Sequence, residues 1–104
     1  MANEEQVNRI KQGVEKWNQW RDQNNDIKPD LSQADLRETQ LQNADLSNTN
    51  LNKAKLQFSN LTGANLKGTT GLSSSQINLA ITDKQTRLPD YLEEEIDDDF
   101  LLQM

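Results

Sequence analysis

The 104-residue chain contains neither cysteine nor histidine. Their absence removes disulfides, thiolate nucleophiles, the usual zinc and copper ligands and the commonest general base together. Serines and threonines are plentiful, but none has a histidine to activate it, and runs of three carboxylates occur only near the C-terminus, so no catalytic residues, metal or cofactor are expected. Apolar residues make up only 33% of the chain, enough for one domain with a thin conventional core. No apolar run exceeds three residues, as at Phe100, Leu101 and Leu102, and "MANEEQVNRI" lacks the basic and apolar regions of a signal peptide. A cytoplasmic protein with no membrane contact is expected. The lysines are scattered and have no aromatic platform beside them, which speaks against nucleic acid as a partner.

The net charge of -6 is unevenly placed. From Asp90 onward there are seven acids and no bases, which leaves ten acids against eleven bases, a net +1, in residues 1–89. The acidity is a tail and the body is close to neutral.

Between these lies a strict period. Leu31, Leu36, Leu41, Leu46, Leu51, Leu56, Leu61 and Leu66 recur every fifth residue. Two residues before each stands a small residue or proline: Pro29, Ala34, Thr39, Ala44, Thr49, Ala54, Ser59 and Ala64. A period of five fits neither an α-helix nor a strand. It is the mark of a solenoid, in which each unit buries its apolar residue only by stacking on its neighbours.

The units "ADLRE", "ADLSN" and "ANLKG", with "TQLQN", "TNLNK", "AKLQF" and "SNLTG" keeping the leucine and the small residue, resemble the pentapeptide-repeat family, A(D/N)LXX. The resemblance implies a mainly β solenoid: a right-handed quadrilateral β-helix of about two coils, four pentapeptides to a coil, with the leucines and small residues pointing inward. Residues twenty apart would then stack, Leu36 on Leu56, Leu41 on Leu61, Leu46 on Leu66, and Ala34 and Ala44 on Ala54 and Ala64. Asp35, Asp45, Asn50, Asn60 and Asn65 would bond the backbone at the corners.

Such a short coil needs covers at both ends. Residues 1–28 are predicted to form one amphipathic capping helix, with Val7, Ile10, Val14, Trp17 and Arg21 on one stripe and Trp20 beside it. Asn3 with Gln6 suits an N-cap, and Glu5 with Arg9 an i,i+4 ion pair. The alternative is a partner-binding helix with exposed tryptophans. "GVEKWNQWRDQNNDIKPDLSQADL" is similar to the leader of short cyanobacterial members of the family, which favours the cover. Repeats are assigned to residues 29–70, because Gly71 stands where leucine is due and the coil is expected to stop there. Residues 71–89 are read as a closing segment: Ser73 and Gln76 form a capping box, Leu72 and Ile77 a hydrophobic staple, and a helix over about 74–81 is predicted. "GLSSSQINLAITDKQTRLPD" resembles the closing segment of related proteins, so the resemblance spans residues 13–90.

Residues 90–104, "DYLEEEIDDDFLLQM", are read as a flexible acidic tail or as a docking peptide in which Leu92, Ile96 and Phe100 share one face. The spacing and turn glycine of a calcium loop are missing. The expected function is a non-catalytic protein–protein binding or scaffold module whose protein partner is unknown. Phe58 is its contact on the prism, unless the returning C-terminal segment covers it. A second copy, joined through a coil end or the tail, is the other partner considered. Some pentapeptide-repeat proteins mimic DNA and occupy type II topoisomerases; here residues 29–70 hold four acids against four bases, and two coils reach only about 10 Å at the strand spacing. That activity is disfavoured, because a DNA mimic needs a long anionic rod.

Overall fold

The computed structural model describes residues 2–95, with the backbone alone for residues 93–95. Residues twenty apart pair side by side in parallel: Asp30 with Asn50 and Asn50 with Thr70, Asp35 with Lys55, Gln40 with Asn60, and Asp45 with Asn65. Twenty residues therefore make one turn of the coil, five to each side. Each side contributes one bridging residue, and among the described residues no continuous strand forms. The cause is local. After each leucine the chain turns, and the N–H of the small residue three positions on donates back to the leucine carbonyl, as from Ala34 to Leu31 and from Ala54 to Leu51, both at 3.1 Å. The residue before the small one lies in left-handed conformation, with φ of 59° to 63° at Gln33, Glu38, Asn43, Asn48, Lys53 and Phe58. A turn every fifth residue leaves no length for a strand.

The interior is a stack of leucines. All eight from Leu31 to Leu66 are at most 1% exposed, and Ala34, Ala44, Ala54 and Ala64 are buried between them. Thr49, Ser59 and Thr69 fill the same small column, and the Ser59 and Thr69 hydroxyls donate to the carbonyls of Leu56 and Leu66. Outside, the Asp or Asn before leucine accepts the backbone N–H two residues on, at Asp30, Asp35, Asp45, Asn50, Asn60 and Asn65.

The upper end is covered by two helices where one was predicted. α1 (Glu4–Lys11) is capped by Asn3, which accepts the Gln6 N–H, and α2 (Val14–Gln23) follows after Gly13. Gly13 has φ 119°, outside the range of other residues, so the helix breaks there and α2 leaves in a new direction. Arg9 stacks over the Trp20 ring, 5.2 Å from its centroid, and no Glu5–Arg9 ion pair forms among the described residues.

At the lower end the coil does not stop at Gly71. Asn60 pairs with Ile81 and Asn65 with Arg87, so two sides gain a further rung with slips of one and two residues. A backbone ladder needs only N–H and C=O groups in register, and small loops absorb the extra residues. α3 (Ser74–Asn78) is shorter than the predicted helix; it carries the Ser73–Gln76 capping box and buries Ile77. α4 (Asp90–Glu95) closes the end, burying Leu92 and placing the Tyr91 hydroxyl where it donates to the Thr69 carbonyl and accepts the Leu72 N–H. No helix among the described residues is long and apolar enough to cross a membrane.

Candidate interaction site

Stacked coils leave backbone groups open at both ends, and what covers them decides which surface is free. On the upper edge the bridging residues point their N–H and C=O upward. At Asp30 both are taken by α1, through the Gln6 side chain and the Asn3 N–H. At Asp45 both are taken by α2: Asn18 Oδ1 accepts the N–H at 2.8 Å, and Trp17 Nε1 donates to the carbonyl at 2.8 Å. Arg21, only 2% exposed, donates to the carbonyls of Ile27 and Ser47. The backbone groups of Asp35 and Gln40 have no such partner among the described residues, so the helices pair the backbone edge of two adjacent sides and leave that of the other two unpaired.

Below that open edge lies Phe58. It is 66% exposed and sits at φ 62°. A bulky residue in the left-handed region is a conformational outlier costing about 1–2 kcal/mol. Its N–H donates to the Leu79 carbonyl at 2.8 Å, which anchors the backbone and leaves the ring in solvent. Phe58 borders an open depression of about 690 Å3, shared with Lys11, Asp35, Arg37, Glu38, Thr39 and Gln57. Arg37 grips Asp35 through two bonds, Nε to Oδ1 at 2.8 Å and NH2 to Oδ2 at 2.7 Å. That grip holds the Asp35 carboxyl well below the usual carboxylate range and raises the Arg37 guanidinium. Both groups are exposed, so the pair arranges charge at the rim more than it stabilises the fold. An aromatic ring, balanced charges and an unpaired backbone edge suit contact with another polypeptide. No cluster among the described residues could hold a metal ion.

The residues singled out in the sequence fall into three groups. The repeat leucines and alanines lie inside the coil, and Trp17 and Ile77 are buried beneath the two covers, with Val14 and Trp20 half-buried. Trp20 packs 5.1 Å from Trp17, so neither tryptophan is a free ring. Phe58 is exposed. Leu92 is not available to a partner: it is 1% exposed, because α4 turns back under the coil and uses it as a plug. Ile96 and Phe100 lie outside the described residues. Sequence reasoning missed the role of Gln76, whose Nε2 donates to the carbonyls of Leu51 and Ala54 while its Oε1 completes the capping box. It also gave no role to Asp83, which accepts the N–H groups of Gly63, Gln85 and Thr86. Arg21 carried a signal, since a cation on an apolar helical stripe marks a residue that is buried with partners.

No curated protein and no solved structure matches the chain. Residues 30–68 match the model of the family described as Pentapeptide repeats in eight copies.

Proposed function

We propose that the chain is a small, non-catalytic protein-binding module, built as a short right-handed quadrilateral β-helix and read by a protein partner at the face around Phe58. The coil is supported by parallel pairing at a spacing of twenty residues over four sides. The non-catalytic reading follows from the repeat family and from a sequence without histidine or cysteine. The binding role rests on Phe58. A phenylalanine that is both exposed and held at positive φ carries two costs that asparagine, used at the equivalent corners Asn43 and Asn48, avoids. Strain at an exposed apolar residue is the kind of outlier from which a functional role is inferred.

The test is affinity capture from cells with the full chain and with Phe58→Asn. A protein retained by the first and lost by the second is the expected result. Identical sets of captured proteins would sink the proposal, and a captured set containing only the chain itself would make the partner a second copy.

A further inference from the structure

Among the described residues, the lower edge of the coil is closed on three sides and open on the fourth. There the leucine N–H and the carbonyl of the preceding small residue point downward. Leu51, Leu61 and Leu66 donate to the carbonyls of Thr70, Ile81 and Arg87 at 2.7–2.9 Å, and Thr49, Ser59 and Ala64 accept from the N–H groups of the same three residues. On the remaining side the third rung is absent, because the chain runs there as α3 at the border of the gap instead of as an extended segment. Gln76 Nε2 satisfies the Ala54 carbonyl, but the Leu56 N–H has no partner among the described residues, and neither has the N–H of the corner residue Lys53.

The space left is a gap of about 380 Å3, bordered by Lys53, Ala54, Lys55, Leu56, Gln57 and Leu79 among others. That volume lies in the range of about 300–1,000 Å3 usual for ligand sites. Its character is specific. Among the described residues no acidic one borders it, and neither Lys53 nor Lys55 makes an ion pair within 4 Å there. Lys55 bridges to Asp35 on the coil above, so this side reads acid, base and then a vacancy. Opposite charges in adjacent rungs stabilise each other, which makes an acid the complementary next residue. Leu79, 49% exposed, offers apolar surface along the gap, and Gln57 Oε1 is a buried acceptor without a donor. Unpartnered N–H groups, an unpartnered acceptor and two ammonium groups together match an extended polypeptide better than a simple anion, because only a polypeptide both accepts and donates along its length.

We propose that this gap takes an extended acidic segment of a partner protein as the missing rung, with a backbone carbonyl accepting the Leu56 N–H, a carboxylate beside Lys53 and Lys55, and an apolar residue on Leu79. The proposal rests on the reading of the chain as a protein-binding module and gives it a second contact with its own ligand chemistry. Alternation of acidic and apolar residues follows from the geometry, since successive side chains of an extended segment face outward to the lysines and inward to Ala54 and Leu79.

The probe is a fluorescein-labelled peptide alternating aspartate and leucine, DLDLD, added to the full chain, with NLNLN as its neutral control. Saturable binding of DLDLD alone is expected. It should weaken by about tenfold or more in K53E/K55E and fall between about 0.05 M and 0.5 M salt. In amide exchange, Leu56 should exchange faster than Leu51, Leu61 and Leu66 in the free chain and slow when the peptide is bound. K53Q/K55Q serves if charge reversal impairs folding. Absence of binding, equal binding by NLNLN, insensitivity to both lysine variants, or a Leu56 amide already slow without peptide each overturns the proposal. So does equal protection of that amide by inorganic phosphate, which would mark a simple anion site. Failure here with Phe58-dependent capture intact removes the gap and leaves the module; loss of Phe58-dependence with peptide binding intact does the reverse.

Discussion

If Phe58 is held outside the fold, replacing it should cost the protein little. The left-handed φ of 62° penalises phenylalanine by about 1–2 kcal/mol, most of which asparagine escapes. Against this, the ring is 66% exposed, so about one third of its surface is buried. Full burial of a phenylalanine is worth about 1.5–3 kcal/mol, and a third of that is about 0.5–1 kcal/mol. Phe58→Asn should therefore leave stability unchanged or raise it by up to about 1 kcal/mol, against a loss of about 3–5 kcal/mol for truncating a core phenylalanine. For a domain of this size 1 kcal/mol moves Tm by about 4–8 °C, so the two outcomes separate cleanly in a thermal melt followed by circular dichroism. A Tm lowered by about 10 °C or more would refute the reasoning, and would mean that Phe58 packs beneath part of the chain instead of facing a partner.

The ends of the coil are sensitive in other ways. Gly71→Ala should cost about 2–4 kcal/mol in urea denaturation, because φ is 72° and the new Cβ would stand 2.6 Å from Asn52 Cβ and 2.7 Å from its Cα; a change below about 1 kcal/mol would contradict it. Arg21→Met should cost about 2–4 kcal/mol by leaving the Ile27 and Ser47 carbonyls without their buried donor, and an unchanged urea midpoint would show that water replaces the guanidinium. Asp30, Asp35 and Asp83 are all held below the ordinary carboxylate value: Asp30 chiefly by the Ser32 side chain, Asp35 by Arg37, and Asp83 by the Gly63 N–H. Their folded forms bind protons less readily than the unfolded chain, so their contribution is complete above about pH 4 and is lost as pH falls through the depressed values. The urea midpoint should thus stay level from about pH 7 to 5 and drop below about 4, with a smaller drop in Asp83→Asn; a midpoint that rises on acidification would reverse the sign.

The repeat was legible because its signal is additive: eight leucines in one register cannot arise from a helix or a strand. The lower end was harder to read. Ile81 and Arg87 pair through backbone groups alone, and neither carries the leucine or the small residue that marks a unit, so the ladder outruns the side-chain pattern. The break in the leader was signalled by Gly13, yet its consequence, two helices on two different sides, depends on where each side chain finds an open carbonyl. Leu92 misled for a related reason. In a short acidic stretch an apolar residue suits a docking face and a plug equally well, and the choice is made by the Tyr91 hydroxyl reaching Thr69 and Leu72, about twenty residues earlier. The open N–H of Leu56 had no sequence signal of its own, since it arises from the path of α3.

The uniform spacing of the rungs also sets the order in which the molecule can be made. Every bridge joins residues 20 to 22 apart, so closing each rung requires a loop of nearly the same length, and growth resembles a zipper more than a collapse. As the chain leaves the ribosome, residues 29–48 have nothing to pair with until Asn50 emerges, and each later side is templated by the one finished twenty residues before. The α1 and α2 segments are synthesised first but find Asp30 and Asp45 only once that edge exists. Arg87 and Leu92 come last, and until they arrive the growing end presents unpaired backbone to every other nascent copy nearby.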